Sequence, residues 1–301
     1  MPSQRRLPRL ASRFLALLLA PVLALPLIWS TPASSQTQAA PELATGFTPK
    51  PLVESESAMI VAAHPLASAA GAEILEDGGA AVDAAIAAQL VLNVVEPQSS
   101  GIGGGAFALT YSAANAQLVS WDGRETAPAA AREDMFLGPD GVPLGFLDAV
   151  ASGLSVGVPT LIRMMEAMHE RHGVLPWARL FEPAIRHASD GFTVTPRLAA
   201  SITRYEERLR TDRAAARLFF DENGMPLRAG ATMANPALAE TLRAVAAEGA
   251  EAFYTGSVAE AIVAAVAAGP RGGAMTLDDL AGAAAVSRPA VCALYRVYFQ
   301  V

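Results

Sequence analysis

The sequence predicts an α/β chain in which helices outnumber strands. Three observations carry this. Helix-length segments with their own start and stop residues fill most of the chain from Pro65 onward. Two short segments of alternating apolar and polar residues flank Asn115 in hairpin order. Residues 289–301, PAVCALYRVYFQV, are rich in β-branched and aromatic residues and read as a strand. At 301 residues and 52% hydrophobic, the chain can bury a large core, and its length suggests one or two domains.

The first segment reads as an address. Arg5, Arg6, Arg9 and Arg13 precede an apolar run from Phe14 to Ile28, and small and polar residues follow as STPASSQTQAA. Basic, apolar, then small is the order of a secretory signal. The run is shorter than the roughly twenty residues of a membrane-spanning helix, and Pro21 and Pro26 break it. Residues 1–40 are therefore expected to be a signal peptide and leader, with cleavage near Ala33 or Ala39–Ala40. The protein is expected to be exported, either periplasmic or secreted.

Residues 41–301 form the remaining region. After a leader arm to residue 57, MIVAAHP reads as a short buried strand. Pro65 opens a helix that Gly78 and Gly79 stop. A second helix, AVDAAIAAQLVLNVV, is apolar nearly all round and should be buried; Pro97 ends it. FALTYS and QLVSWDG make the hairpin, and DGRETAP follows as a strand end or turn. Beyond Ser155, GVPTLIRMMEAMHERHG has Pro159 near its start and Gly173 past its end, the usual helical asymmetry. LPWARLFEPAIRHASDGF, PRLAASITRYEERLR, NPALAETLRAVAAEG, SVAEAIVAAVAAG and TLDDLAG read as further helices. DENGMP is a turn. The chain stops inside the last strand-like run, which is expected of a fragment.

Composition excludes several function classes. The net charge is −7, with no Lys/Arg block after the first segment, which argues against nucleic acid as a partner. The only lysine is Lys50, in a Pro-flanked stretch, so lysine chemistry has no good candidate. One cysteine, Cys292, rules out an intrachain disulfide and a Cys-rich zinc site; in AVCALY it reads as a small buried hydrophobe on a strand. His64, His169, His172 and His187 show no metalloprotease spacing, and no metal or organic cofactor is expected.

Gly101, Gly103 and Ala106 match the spacing G-x-G-x-x-A. A dinucleotide site needs strand, glycines, then helix, and here a helix precedes and a strand follows. Two readings remain: a tight helix-to-strand connection, which spacing alone favours, or a glycine floor beside a substrate pocket. Arg124 in DGRETAP has two readings as well. It is either a surface partner of Asp122 or Glu125, or a carboxylate clamp, since a guanidinium can grip a carboxylate with two parallel bonds.

Several stretches in fixed order, MIVAAHPLASAAGAEILEDGGAAVDAAIA, EPQSSGIGGGAF, DGRETAP, HERHGVLPWARLFEPAI, NPALAETLR and EAFYTGSVAEAIV, resemble the large-subunit region of γ-glutamyltranspeptidases over nearly all of residues 57–301. The resemblance implies an N-terminal nucleophile hydrolase with an αββα sandwich, of which this is the helix-rich, incomplete large-subunit portion. It implies self-cleavage into two subunits, with the catalytic threonine at the start of a small subunit beyond Val301, so no catalytic residue is assigned here. It implies Arg124 as the group that holds the substrate α-carboxylate. The partners it implies are glutathione or another γ-glutamyl compound, a water, amino acid or peptide acceptor, and the protein's own small subunit. Ala80, Ala106 and Thr160 depart from the residues usual in the family, which are Asn, Gly and Gly. Two other functions fit the same residues: a cephalosporin acylase-like enzyme of the same family, and a secreted binding protein without catalysis.

Overall fold

The structure is a computed structural model and describes residues 51–296 and 298–300. The expected signal and leader (residues 1–40) and Lys50 lie outside them. The described residues belong to one compact unit, Ala40–Val301.

In chain order the elements are helices α1 (Pro65–Glu76) and α2 (Ala81–Val95), strands β1 (Ala106–Ser112) and β2 (Gln117–Gly123), then α3 (Phe146–Val150), α4 (Leu161–His172) and α5 (Trp177–Asp190). Strand β3 (Phe192–Thr193), helices α6 (Pro196–Arg204), α7 (Glu206–Leu209) and α8 (Arg213–Phe219), and strand β4 (Thr232–Met233) follow. Helices α9 (Pro236–Glu248), α10 (Glu251–Tyr254), α11 (Gly256–Ala268) and α12 (Leu277–Ala281) precede strands β5 (Val286–Pro289), β6 (Ala293–Tyr295) and β7 (Tyr298–Gln300).

Helix α2 is the centre. Val82, Ile86, Leu90 and Val94 are buried, and so are Ala84, Ala87, Ala88, Val91 and Val95 from its other faces. It packs against α1, α4 and α5. Alanine makes this close helix packing possible, because small side chains on several faces let neighbouring helices approach, leaving only the stripe of Ala81 and Ala85 exposed. Asp83, fully buried, ties its start to the rest of the helix layer: its Oδ2 accepts the N–H groups of Ala80 (2.9 Å), Val174 (2.9 Å) and Leu175 (3.2 Å). One carboxylate thus joins the start of α2 to the link between α4 and α5.

β1 and β2 pair antiparallel, with Ala106 opposite Gly123 and Ser112 opposite Gln117, and β5 adds to β2. Val119, Trp121 and Gly123 turn toward the helices. The other face carries Phe107, Leu109 and Tyr111, which are 67%, 55% and 65% exposed. The arrangement is a helix layer on one face of a sheet whose second face is open among the described residues. That is the α-then-β half of the expected sandwich.

Four expectations are corrected. MIVAAHP forms no strand: Met59 and Val61 are exposed, and no described segment pairs with it. Ile60 and Ala62 are partly drawn in and His64 is buried, with Ile60 Cδ1 filling the space that a Cβ on Gly71 would need. PRLAASITRYEERLR is two helices, because Tyr205 leaves helical geometry between α6 and α7. The terminal run is not one strand: Pro289 ends β5, and two short strands, β6 and β7, pair with each other around Arg296, at φ 56°, rather than extending the main sheet. Cys292 lies between β5 and β6 and is exposed, not a buried strand residue.

Two measurements test these contacts. Asp83→Ala is expected to destabilise the complete protein by about 3 kcal/mol, since it removes a fully buried carboxylate that three part-buried N–H groups share; a loss in urea unfolding of less than about 1 kcal/mol would show that the carboxylate is dispensable. The second concerns His64, the N-cap of α1, whose Nδ1 accepts the Leu66 N–H at 3.1 Å. Burial holds its pKa below the usual 6.5. The folded state therefore favours the neutral ring, so its contribution is complete above pH 6.5 and is lost as pH falls through the lowered folded value. His64→Asn keeps a capping acceptor that does not titrate. It should flatten the acid side of the stability–pH curve, leaving the share of His187, which burial lowers in the same direction. An unchanged slope would rule out this cap as a proton-sensitive contact.

Candidate functional site

Arg124 stands at the end of β2, immediately after the buried Gly123. Its backbone is fixed from the sheet side. Asp122 Oδ1 accepts the Arg124 N–H at 3.1 Å, while Asp122 Oδ2 pairs with Arg288 on β5. The Arg288 bond and then the Arg124 N–H hold the Asp122 carboxyl below its ordinary range. The anchor therefore persists across the neutral range and weakens only in strong acid.

The Arg124 side chain is 67% exposed, and its Nε lies 3.2 Å from Glu125 Oε2. The surface pair anticipated as one reading of this arginine is thus present. Glu125, 29% exposed, lies against glycine backbone: a Cβ on Gly105 would come within 2.8 Å of Glu125 Oε2, and one on Gly157 within 2.9 Å of Glu125 Cβ. The next residue, Thr126, bridges Val158, its N–H donating to Val158 O at 3.3 Å and its O accepting from Val158 N at 2.8 Å.

The glycine run leaves α2 and enters β1 beside this arginine. Its tight point is Gly105, where a Cβ would stand 2.4 Å from the Gly123 carbonyl oxygen. Gly101 and Gly103, which carry the motif-like spacing, have open space in the Cβ direction. Gly103 and Arg124 line one cleft of about 520 Å³ together with Glu125, Met135, Phe136 and Leu154. Gly105 is the close connection between α2 and β1, and Gly103 borders the cleft. A neighbouring cleft of about 710 Å³ shares Ala131, Met135 and Leu154 with the first.

Residue 160 was expected only as a departure in a helix start. Thr160 is buried and is the N-cap of α4, yet its side chain caps nothing. Its Oγ1 donates instead to Gly123 O at 2.5 Å, and the backbone N–H groups of Thr160 and Leu161 donate to Gly104 O at 3.3 and 3.1 Å. No sequence signal distinguishes this use from capping. Ala106 begins β1 opposite Gly123, and Ala80 has no side-chain cap bond but gives its N–H to Asp83. Among the described residues no three His, Cys, Asp or Glu side chains gather as a metal site.

Comparison with known proteins places the chain in a family. The family model for gamma-glutamyltranspeptidase matches residues 67–301. The glutathione hydrolase proenzyme of Bacillus subtilis (strain 168) is 40% identical over 222 residues, which are 74% of this chain and 37% of that protein. The crystal structure of Helicobacter pylori gamma-glutamyltranspeptidase aligns with a TM-score of 0.79 and 34% identity, over 83% of this chain and 70% of that one. The cephalosporin acylase of Bacillus halodurans aligns at 0.66 and 30% identity, over 84% of this chain and 48% of that one. The chain thus spans little more than a third of the length of the curated relative. Sequence and fold agree over the same stretch, and the chain belongs to the gamma-glutamyltranspeptidase family.

Proposed function

We propose that the chain is part of a γ-glutamyltransferase/glutathione hydrolase, in which Arg124 holds the α-carboxylate of the γ-glutamyl group. One observation carries the reading. A guanidinium on a fixed backbone projects into a cleft, held by a single neighbour, Glu125, through Nε. Its Nη groups have no partner among the described residues. An exposed pair of this kind contributes only about 0.2–1 kcal/mol, so an incoming carboxylate can share or displace it. A bidentate carboxylate contact gives more, because each charged hydrogen bond is worth about 1.5–3 kcal/mol.

In this scheme a threonine at the start of a small subunit attacks the γ-amide carbonyl, its own α-amine taking the hydroxyl proton and passing it to the amine that leaves as the amide C–N bond breaks. The γ-glutamyl ester then passes to water, an amino acid or a peptide. Arg124 fixes the far end of the acyl group so that the carbonyl meets the nucleophile in one orientation. The open face of Phe107, Leu109 and Tyr111 is the surface we assign to the small subunit's sheet, whose apolar side would cover it.

The likeness to a cephalosporin acylase favours a second reading, an amidase for another acyl group. Turnover of γ-glutamyl-p-nitroanilide against glutaryl amides by the complete protein separates them, and absence of γ-glutamyl turnover would reject the first. Within the first reading, Arg124→Lys is expected to raise KM for γ-glutamyl substrates on the order of tenfold, as the two-pronged grip becomes a point contact. Unchanged kinetics in a folded, processed variant would exclude the carboxylate role.

The basic-then-apolar order of residues 1–40 supports export of the same protein. Mass spectrometry of the N-terminus after cell fractionation is expected to find it outside the cytoplasm and beginning near residue 40. Cytoplasmic protein that retains residues 1–40 would count against export.

A further inference from the structure

We propose that Thr160 is a positioning residue for Arg124, an inference that rests on the carboxylate-binding reading of that arginine. Threonine before a helix ordinarily turns its oxygen to the first-turn N–H groups. Here it does not: α4 has no side-chain cap, and the hydroxyl reaches across 37 positions of sequence to donate to Gly123 O at 2.5 Å. Thr160 is 1% exposed and Gly123 is buried, so water cannot readily replace that bond.

The consequence falls on the arginine. The Gly123 carbonyl belongs to the peptide unit whose N–H is that of Arg124. Thr160 holds the oxygen of this unit, and Asp122 accepts the hydrogen on its other edge at 3.1 Å. With both edges bonded, the plane of the peptide is set, and with it the direction in which the Arg124 side chain leaves the backbone. Met164, one turn along α4, closes the underside: a Cβ on Gly123 would stand 2.5 Å from Met164 Cβ. The same first turn of α4 holds Gly104 O through the N–H groups of Thr160 and Leu161. Helix α4 therefore sets the glycine floor and the arginine against each other, and the Thr160 hydroxyl is the one side-chain bond in that connection. Thr160 does not line the cleft, so its influence passes through Arg124.

The test is steady-state kinetics of the complete, self-processed protein with γ-glutamyl-p-nitroanilide. Thr160→Val removes the hydroxyl while keeping the shape. KM is expected to rise about five- to tenfold with kcat within about twofold, and Thr160→Ser, which keeps the hydroxyl, should restore both. The decisive reading is a double-mutant cycle: in an Arg124→Ala background, Thr160→Val should add nothing further to KM. If the valine variant does not mature, Thr160→Ala serves in the same cycle. An unchanged KM, a serine variant as impaired as valine, or full additivity with Arg124→Ala would overturn the positioning role. If Arg124→Ala itself leaves KM unchanged, the carboxylate reading falls, and this inference with it.

Discussion

The fold depends on how its most deeply buried helix ends. Helix α2 is buried on all but the stripe that carries Ala81, Ala85, Gln89 and Leu92, and a buried acidic residue stands at each of its ends. Asp83 gathers the N–H groups of Ala80, Val174 and Leu175 at the start. Glu96, only 4% exposed, is the C-cap; its carbonyl accepts Ser99 and Ser100 N–H, while its carboxylate binds Gln98 and Arg197, the latter at 2.7 Å. Gln89, Asn93 and Ser100 bond to one another along the same end. The glycine run therefore departs from a fixed point. The register of β1 on β2, and so the place where Arg124 emerges, follows from that point rather than from the loop's own preferences.

The site built on this base divides rigidity from availability. Around Arg124, everything belonging to the backbone is closed: Gly105 lies against Gly123 O, Gly123 lies over Met164, and the peptide between Gly123 and Arg124 is bonded on both edges. The guanidinium alone stays open, in an exposed pair with its sequence neighbour. That pairing costs little to rearrange, whereas moving the backbone would break buried hydrogen bonds. Binding a carboxylate on such a group needs little ordering of the protein, which lowers the entropic cost of recognition.

Much of the helical part was legible because it is punctuated. Pro65, the Gly78–Gly79 pair, Pro97 and Gly173 mark ends that the structure reproduces in α1, α2 and α4, and the alternation around Asn115 produced the hairpin, with Asn115 Oδ1 accepting Gln117 N–H in its turn. The segments that misled are those whose structure is decided by neighbours. MIVAAHP has strand composition, but a strand needs a partner ladder, and no described segment offers one. The terminal run has the same composition and folds back on itself at Arg296. Arg124 came forward as a candidate only through the ordered stretches around it; nothing in DGRET announces a cleft. Thr160 was visible as an unusual residue, but the acceptor of its hydroxyl, Gly123, is reached only once β2 and α4 pack.

The three departures from the family's usual residues meet three different local settings. Ala80 supplies no side-chain acceptor to α2, and the helix start keeps only the reverse bond, in which Asp83 takes the Ala80 N–H. Ala106 adds a methyl one residue past the tight point at Gly105, at a strand position facing the helices where small side chains fit. Thr160 differs in kind, because it adds a donor where glycine would have none. A hydroxyl introduced into a site that is 1% exposed is destabilising unless it finds an acceptor, and here it bonds the carbonyl next to Arg124. Where the family's usual glycine stands at this position, no side chain can make that bond, so the Gly123 carbonyl must be held otherwise. The orientation of the arginine is thus a property that can vary within one fold by a substitution outside the cleft, without any change in the residues that line it.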